Sequence, residues 1–110
     1  MQLIAHRGLY NKDIKENTIE AFLNAINNNY DGIELDIRYT KDKEIVILHD
    51  SFINRTSDGR GKLSSFNYRD LKKYNVIFLK DKKAEEIWSK EQFELKGKSR
   101  SKWLAYYMGM

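Results

Sequence analysis

The run Ile33-Glu34-Leu35-Asp36-Ile37-Arg38 alternates apolar and charged side chains. On a strand, that pattern puts Ile33, Leu35 and Ile37 on one face and Glu34, Asp36 and Arg38 on the other. Two carboxylates at that spacing have Cβ atoms roughly 7 Å apart, and they repel unless a cation lies between them. A hard divalent cation such as Mg²⁺ or Ca²⁺ takes oxygen ligands and removes the cost. A half-exposed strand with polar outer residues shows the same alternation, and taken alone it is the simpler reading. The histidines shift the balance. There are two, His6 and His49, and each closes a short apolar run. Active sites of α/β folds gather at the carboxyl ends of strands. Imidazoles there can divide general-acid and general-base work, because they titrate near neutrality. A single histidine is more often structural, but here two converge with two carboxylates, and Arg7 and Arg38 are available to grip phosphate oxygens. The chemistry this combination supports is metal-assisted attack on a phosphodiester.

Several elements must position these groups. Gln2 to Ala5 reads as a buried strand running into a tight loop at His6-Arg7-Gly8. A helix starts after Asn17, a good N-cap with Glu20 three residues on, and Ile19, Phe22, Leu23 and Ile26 form its apolar stripe. Asn27, Asn28 and Asn29 end it. Ile33 to Tyr39 is the second strand and Glu44 to Leu48 the third. Strand, helix, strand favours a parallel first pair, whereas the few residues of Thr40-Lys41-Asp42-Lys43 favour a hairpin for the second. Phe66 to Tyr74 reads as a short helix capped by Ser64 or Ser65, Val76 to Leu79 as a fourth strand, and Ala84 to Leu95 as a helix. Trp103 to Met110 is apolar and aromatic without a period.

The composition is compatible with one core. The chain has 110 residues, 41% of them hydrophobic, and no cysteine, so a metal site must use carboxylate, imidazole or carbonyl ligands. No apolar run reaches the roughly 20 residues of a membrane span. The start has no basic segment leading into a long apolar one, so a cytoplasmic protein is expected. Residues 1–55 carry a net charge of −2 and residues 56–110 one of +6. Lys96, Lys98, Arg100 and Lys102 concentrate that excess. They read as a solvated basic segment, with no nucleic-acid partner and no stable membrane insertion expected.

An ordered series of short motifs carries a family resemblance. Ala5-His6-Arg7-Gly8, Glu16-Asn17-Thr18 with Ala21-Phe22, Gly32-Ile33-Glu34-Leu35-Asp36, Thr40-Lys41-Asp42, His49-Asp50 and Arg55-Thr56 together resemble the N-terminal signature of glycerophosphodiester phosphodiesterases. The resemblance implies an α/β fold: the first three to four strands of the TIM (β/α) barrel shared by phospholipase C-like phosphodiesterases. It implies hydrolysis of a small-molecule glycerophosphodiester to glycerol 3-phosphate and an alcohol, with Ca²⁺ or Mg²⁺ as cofactor. By position, His6 and His49 become the acid/base pair, Glu34 and Asp36 metal ligands, and Arg7 a phosphate contact. Asn17 would lie near the site or cap its helix, and Asp50 would support the loop around His49.

The departures shape the remaining expectations. Lys43 stands where the family usually has glycine. The family's later Glu-x-Lys strand is imitated by Glu94-Leu95-Lys96, whose neighbours do not read as a strand. A closed (β/α)₈ barrel takes roughly 250 residues. The expected organisation is therefore an N-terminal phosphodiesterase part over 1–80 and a divergent basic, aromatic segment over 81–110. Such a chain reads as a truncated or interrupted gene product, weakly active alone and prone to self-associate through an open sheet edge. A non-catalytic remnant of the fold and a lipid-directed phosphodiesterase of similar fold are the rival readings.

Overall fold

The computed structural model of the protein describes residues 3–90, 93–97 and 102–107. Strand β1 (Ile4–His6) leads through a loop into helix α1 (Ile19–Asn27), and β2 (Gly32–Tyr39) returns parallel to β1 with His6 opposite Glu34. Strand β3 (Ile45–Ile47) then folds back antiparallel on Ile37–Tyr39, the hairpin that so short a link demands. Thr40 holds the turn. Its buried hydroxyl donates to Asp42 Oδ1 at 2.6 Å and accepts from the Glu44 N–H at 2.9 Å. Lys43 closes the turn at a φ of 69°. That left-handed backbone explains why glycine suits the position.

A 3₁₀ turn (Leu63–Ser65) and the single-turn helix α2 (Tyr68–Leu71) replace the longer helix expected over Phe66 to Tyr74. Asn67, not a serine, occupies the cap position of α2. Strand β4 (Ile77–Phe78) adds antiparallel to β3. Helix α3 (Lys82–Lys90) ends before the Leu95 limit expected for it, and β5 (Phe93–Gly97) follows. The Glu94-Leu95-Lys96 triplet therefore does lie in a strand. The aromatic tail, too, contains a strand, β6 (Lys102–Tyr107). Its backbone runs antiparallel to Gly32–Asp36 of β2, with β5 antiparallel beyond it. β1 and β3 thus share one edge of β2, and β6 takes the other. Of the basic run, Lys98 and Arg100 lie outside the described residues.

The alternation in β2 sorts its two faces. Ile33, Leu35 and Ile37 are buried with Phe22, Ala25 and Ile87, so this face packs under α1 and α3. The helix stripe differs from the one expected. Ala21, Phe22 and Ala25 are fully buried, Ile19 and Ile26 only partly, and Leu23 is 39% exposed. Close approach explains the rotation. A Cβ on Gly8 would lie 2.8 Å from the Ala21 Cβ, so small residues must face each other where the loop after β1 meets α1. A second cluster, Val46, Leu48, Ile53, Leu63, Leu71 and Phe78, fills the space under the loop that follows β3. It gives that loop, which carries His49 and Arg55, an apolar floor. Among the described residues no helix is long and apolar enough to cross a membrane.

Candidate active site

The charged face of β2 is where the expected site residues meet. His6, the last residue of β1, places Nδ1 2.7 Å from Glu34 Oε1 across the parallel pair. An ionised carboxylate only accepts, so in that state the imidazole donates through Nδ1. The ring is half exposed, whereas Glu34 is mostly covered. Two residues on, Asp36 is only 4% exposed. Its Oδ2 accepts from Asn17 Nδ2 at 3.1 Å, and its backbone N–H donates to Asn17 Oδ1 at 3.3 Å. Arg7 Nε approaches the same Oδ2 to 3.3 Å without hydrogen-bond geometry, which leaves a buried donor held by charge alone.

Asn17 is therefore not the helix cap. Thr18 has the extended cap backbone, and its hydroxyl accepts from the Ala21 N–H at 3.1 Å. Asn17 takes a φ of 53° instead, a conformation asparagine tolerates better than most residues. Its side chain consequently turns away from the helix and clasps Asp36. Arg7 is left-handed as well, at 60°. Its backbone N–H donates to the Glu34 carbonyl at 2.6 Å and its carbonyl accepts from the Asn17 N–H at 2.8 Å. The loop after β1 is thus pinned between β2 and the start of α1.

His49 follows β3 and places Nδ1 2.9 Å from Asp50 Oδ1. Arg38, available by its residue type for a phosphate oxygen, is engaged at one nitrogen. Its Nε donates to the His49 carbonyl at 2.8 Å, holding the backbone of the histidine. The two halves of the site are joined by residues to which the sequence assigns no role. Arg55 donates from Nε and Nη2 to both Asp50 oxygens, at 2.8 and 3.0 Å. From Nη1 and Nη2 it donates to both Glu16 oxygens, at 2.9 and 3.0 Å. Glu16 in turn accepts from Arg7 Nη1 at 3.0 Å. Both residues stand in the motif series, Glu16 beside Asn17 and Arg55 beside Thr56, which was the available signal. Bonding to Arg55 holds the Asp50 carboxyl far below the usual carboxylate range, with His49 adding to the effect. The same guanidinium lowers Glu16 against an opposing effect of burial. The two acids raise Arg55 in return, Asp50 first.

Chemically, the surface offers two half-exposed imidazoles, a carboxylate pair on one strand face and arginines tied into it. A small cavity of about 20 Å³, lined by Glu16, Asn17, His49 and Thr56 among others, has room for a water and not for a substrate, so a substrate would lie on the open side. No group of three or more His, Cys, Asp or Glu side chains gathers into a metal cage among the described residues.

Known proteins share this arrangement of segments. The family model described as "Glycerophosphoryl diester phosphodiesterase family" matches residues 6–102. A glycerophosphodiester phosphodiesterase of Caldanaerobacter subterraneus subsp. tengcongensis is 45% identical over 74 residues, covering 67% of this chain and 30% of that protein. The crystal structure of a glycerophosphodiester phosphodiesterase from Agrobacterium tumefaciens superposes with a TM-score of 0.63 at 30% identity, over 67% of this chain and 32% of that one. A glycerophosphoryl diester phosphodiesterase from Parabacteroides distasonis gives 0.60 at 36% identity, over 68% and 26%. The chain thus spans no more than about a third of the length of these relatives, and its fold is a partial (β/α) barrel. With a family model that runs from the first histidine to the last described strand, the chain belongs to the glycerophosphoryl diester phosphodiesterase family.

Proposed function

We propose that the chain carries the acid/base and cation-binding residues for hydrolysis of a glycerophosphodiester to glycerol 3-phosphate and an alcohol. One observation carries the reading. His6, Glu34 and Asp36 on β1 and β2 are joined to His49, just after β3, through Arg7, Glu16, Arg55 and Asp50. In this reading His6 and His49 move protons to and from the entering and leaving oxygens. With Nδ1 committed to a carboxylate, each presents Nε2 as the exchanging nitrogen. Arg7 has no bond from Nη2 among the described residues, and that amine is the group left for a phosphoryl oxygen.

The donor chemistry fits a divalent cation, Ca²⁺ or Mg²⁺. Glu34 and Asp36 offer hard oxygens on one strand face, and two carboxylates placed alternately on a strand favour a positive charge between them. When bound, the cation supplies charge stabilisation at the phosphoryl oxygens. The barrel described here is partial, and β6 runs antiparallel along the Gly32–Asp36 edge where a (β/α)₈ barrel continues in parallel. We accordingly expect slow turnover from this 110-residue chain by itself.

The test has two arms. Ca²⁺ or Mg²⁺ should raise the unfolding temperature of the chain, and E34Q and D36N should abolish that rise. Glycerophosphocholine cleavage, followed by release of glycerol 3-phosphate, should be lost in both H6A and H49A. Cleavage indifferent to both histidine variants refutes the reading, as does absence of cleavage together with absence of any cation effect.

A further inference from the structure

Arg55 is half exposed on the loop after β3, 39 residues from the acid it bridges to, and its guanidinium is almost fully committed. Four of its five N–H donors go to two carboxylates, two to Asp50 and two to Glu16. An arginine whose two forks are both filled this way has little left to offer a phosphate. The Asp50 carboxylate it clamps is in turn 2.9 Å from Nδ1 of His49. Glu16 is the fixed end of the relay. It is mostly covered, it belongs to the loop pinned to β2, and it is also bonded to Arg7. Asp50 is adjacent in sequence to the histidine, so without an external anchor its side chain would sample several rotamers of an exposed loop.

We infer that Arg55, anchored by Glu16, is a positioning residue that orients Asp50 so that His49 is held with its proton on Nδ1 and Nε2 free. An ionised Asp50 can only accept, which makes Nδ1 the donor of the pair. The clamp thereby selects one of two tautomers as well as one ring orientation, and leaves Nε2 as the base. Residues from the loop before α1 and the loop after β3 are used together, so the His49 environment is not complete without Glu16. The inference rests on the reading of His49 as an acid/base group. Its test reports on the imidazole itself, whether or not the chain cleaves a phosphodiester.

The experiment is long-range ¹H–¹⁵N NMR of the histidine rings in the intact chain, comparing wild type, Arg55→Ala and Arg55→Lys at about pH 9, where imidazoles are neutral. In the wild type, His49 should show a single dominant Nδ1–H tautomer. In R55A the ratio of Nδ1–H to Nε2–H should fall roughly fivefold, the factor a net hydrogen bond controls. R55K keeps the charge and cannot fill both forks, so its ratio should lie between the two. The His6 signals, whose carboxylate partner is Glu34, should stay in place in both variants. A wild-type His49 that already favours Nε2–H overturns the proposal, and so does a His49 ratio unchanged in R55K and R55A. Should R55A fail to fold, R55K alone decides by the same criterion. Lack of phosphodiesterase activity with a clamp-dependent tautomer would count against the function proposed above and leave this inference standing.

Discussion

Replacement of Asn17 separates two parts that one residue plays. The side chain is 4% exposed and makes both of its hydrogen bonds to Asp36, one to the buried carboxylate and one from the backbone N–H. A bond to a charged group contributes about 1.5–3 kcal/mol and a neutral one about 0.5–1.5 kcal/mol. Asn17→Ala should therefore lose about 2–4.5 kcal/mol from these contacts. It also places an alanine at a φ of 53°, which costs about 1 kcal/mol more. The sum, about 3–5.5 kcal/mol, is a large part of the roughly 5–15 kcal/mol that holds a typical domain. Asn17→Gly loses the same contacts and accepts the backbone, so it should be less destabilised than the alanine variant by about 0.5–1 kcal/mol. Urea unfolding at pH 7, followed by circular dichroism and fitted with a common slope, measures both. Thr18→Ala is the control, since losing a helix cap typically costs about 1 kcal/mol. An Asn17→Ala variant within about 0.5 kcal/mol of wild type would refute the clasp. Equal values for alanine and glycine would refute the backbone part alone.

Gly8→Ala should be among the most damaging single changes, at more than about 2 kcal/mol. The new Cβ would lie 2.8 Å from Ala21 Cβ and 2.9 Å from its carbonyl carbon, at a φ of 80°, and a thermal melt would register the loss. Lys43→Gly should go the other way, because it relieves a φ of 69° in the exposed turn after β2. A gain of about 0.5–1 kcal/mol in urea unfolding is expected, and a loss would mean the lysine has another part. Acid should weaken the clamp. Asp50 and Glu16 are both depressed in the folded state, so their contribution is complete above the ordinary carboxylate pKa and disappears as pH falls through the folded values. Stability should decline progressively below about pH 5. Arg55→Ala should flatten that decline, and identical pH slopes in the variant and wild type would contradict the assignment.

Periodicity and strand ends were legible in the residues themselves. The alternation from Ile33 to Arg38 placed its apolar members against the helices and its charged members on the opposite face, because the pleat of a strand leaves no other arrangement. The short Thr40–Lys43 link likewise demanded a hairpin, for reasons of chain length alone. Where small residues decided the packing, the pattern misled. Ala21 and Ala25 are buried in place of Leu23, since the distance between α1 and the Gly8 loop ranks above hydrophobicity. Asn17 shows the same limit at one residue. Its type suits a helix cap, but the left-handed backbone imposed by the Arg7 and Glu34 contacts sends its side chain to Asp36.

The strand character of Lys102–Tyr107 arises from pairing along β2 and that of Phe93–Gly97 from pairing along β6, and strand preference depends on such partners more than on local composition. The residue types therefore determined by themselves which groups could do chemistry and which strands would carry them. Only the tertiary structure decided how those groups are held. Glu16 and Arg55 meet across 39 residues, and a contact at that separation is created by loop closure over two packed cores and leaves no periodic trace in the chain.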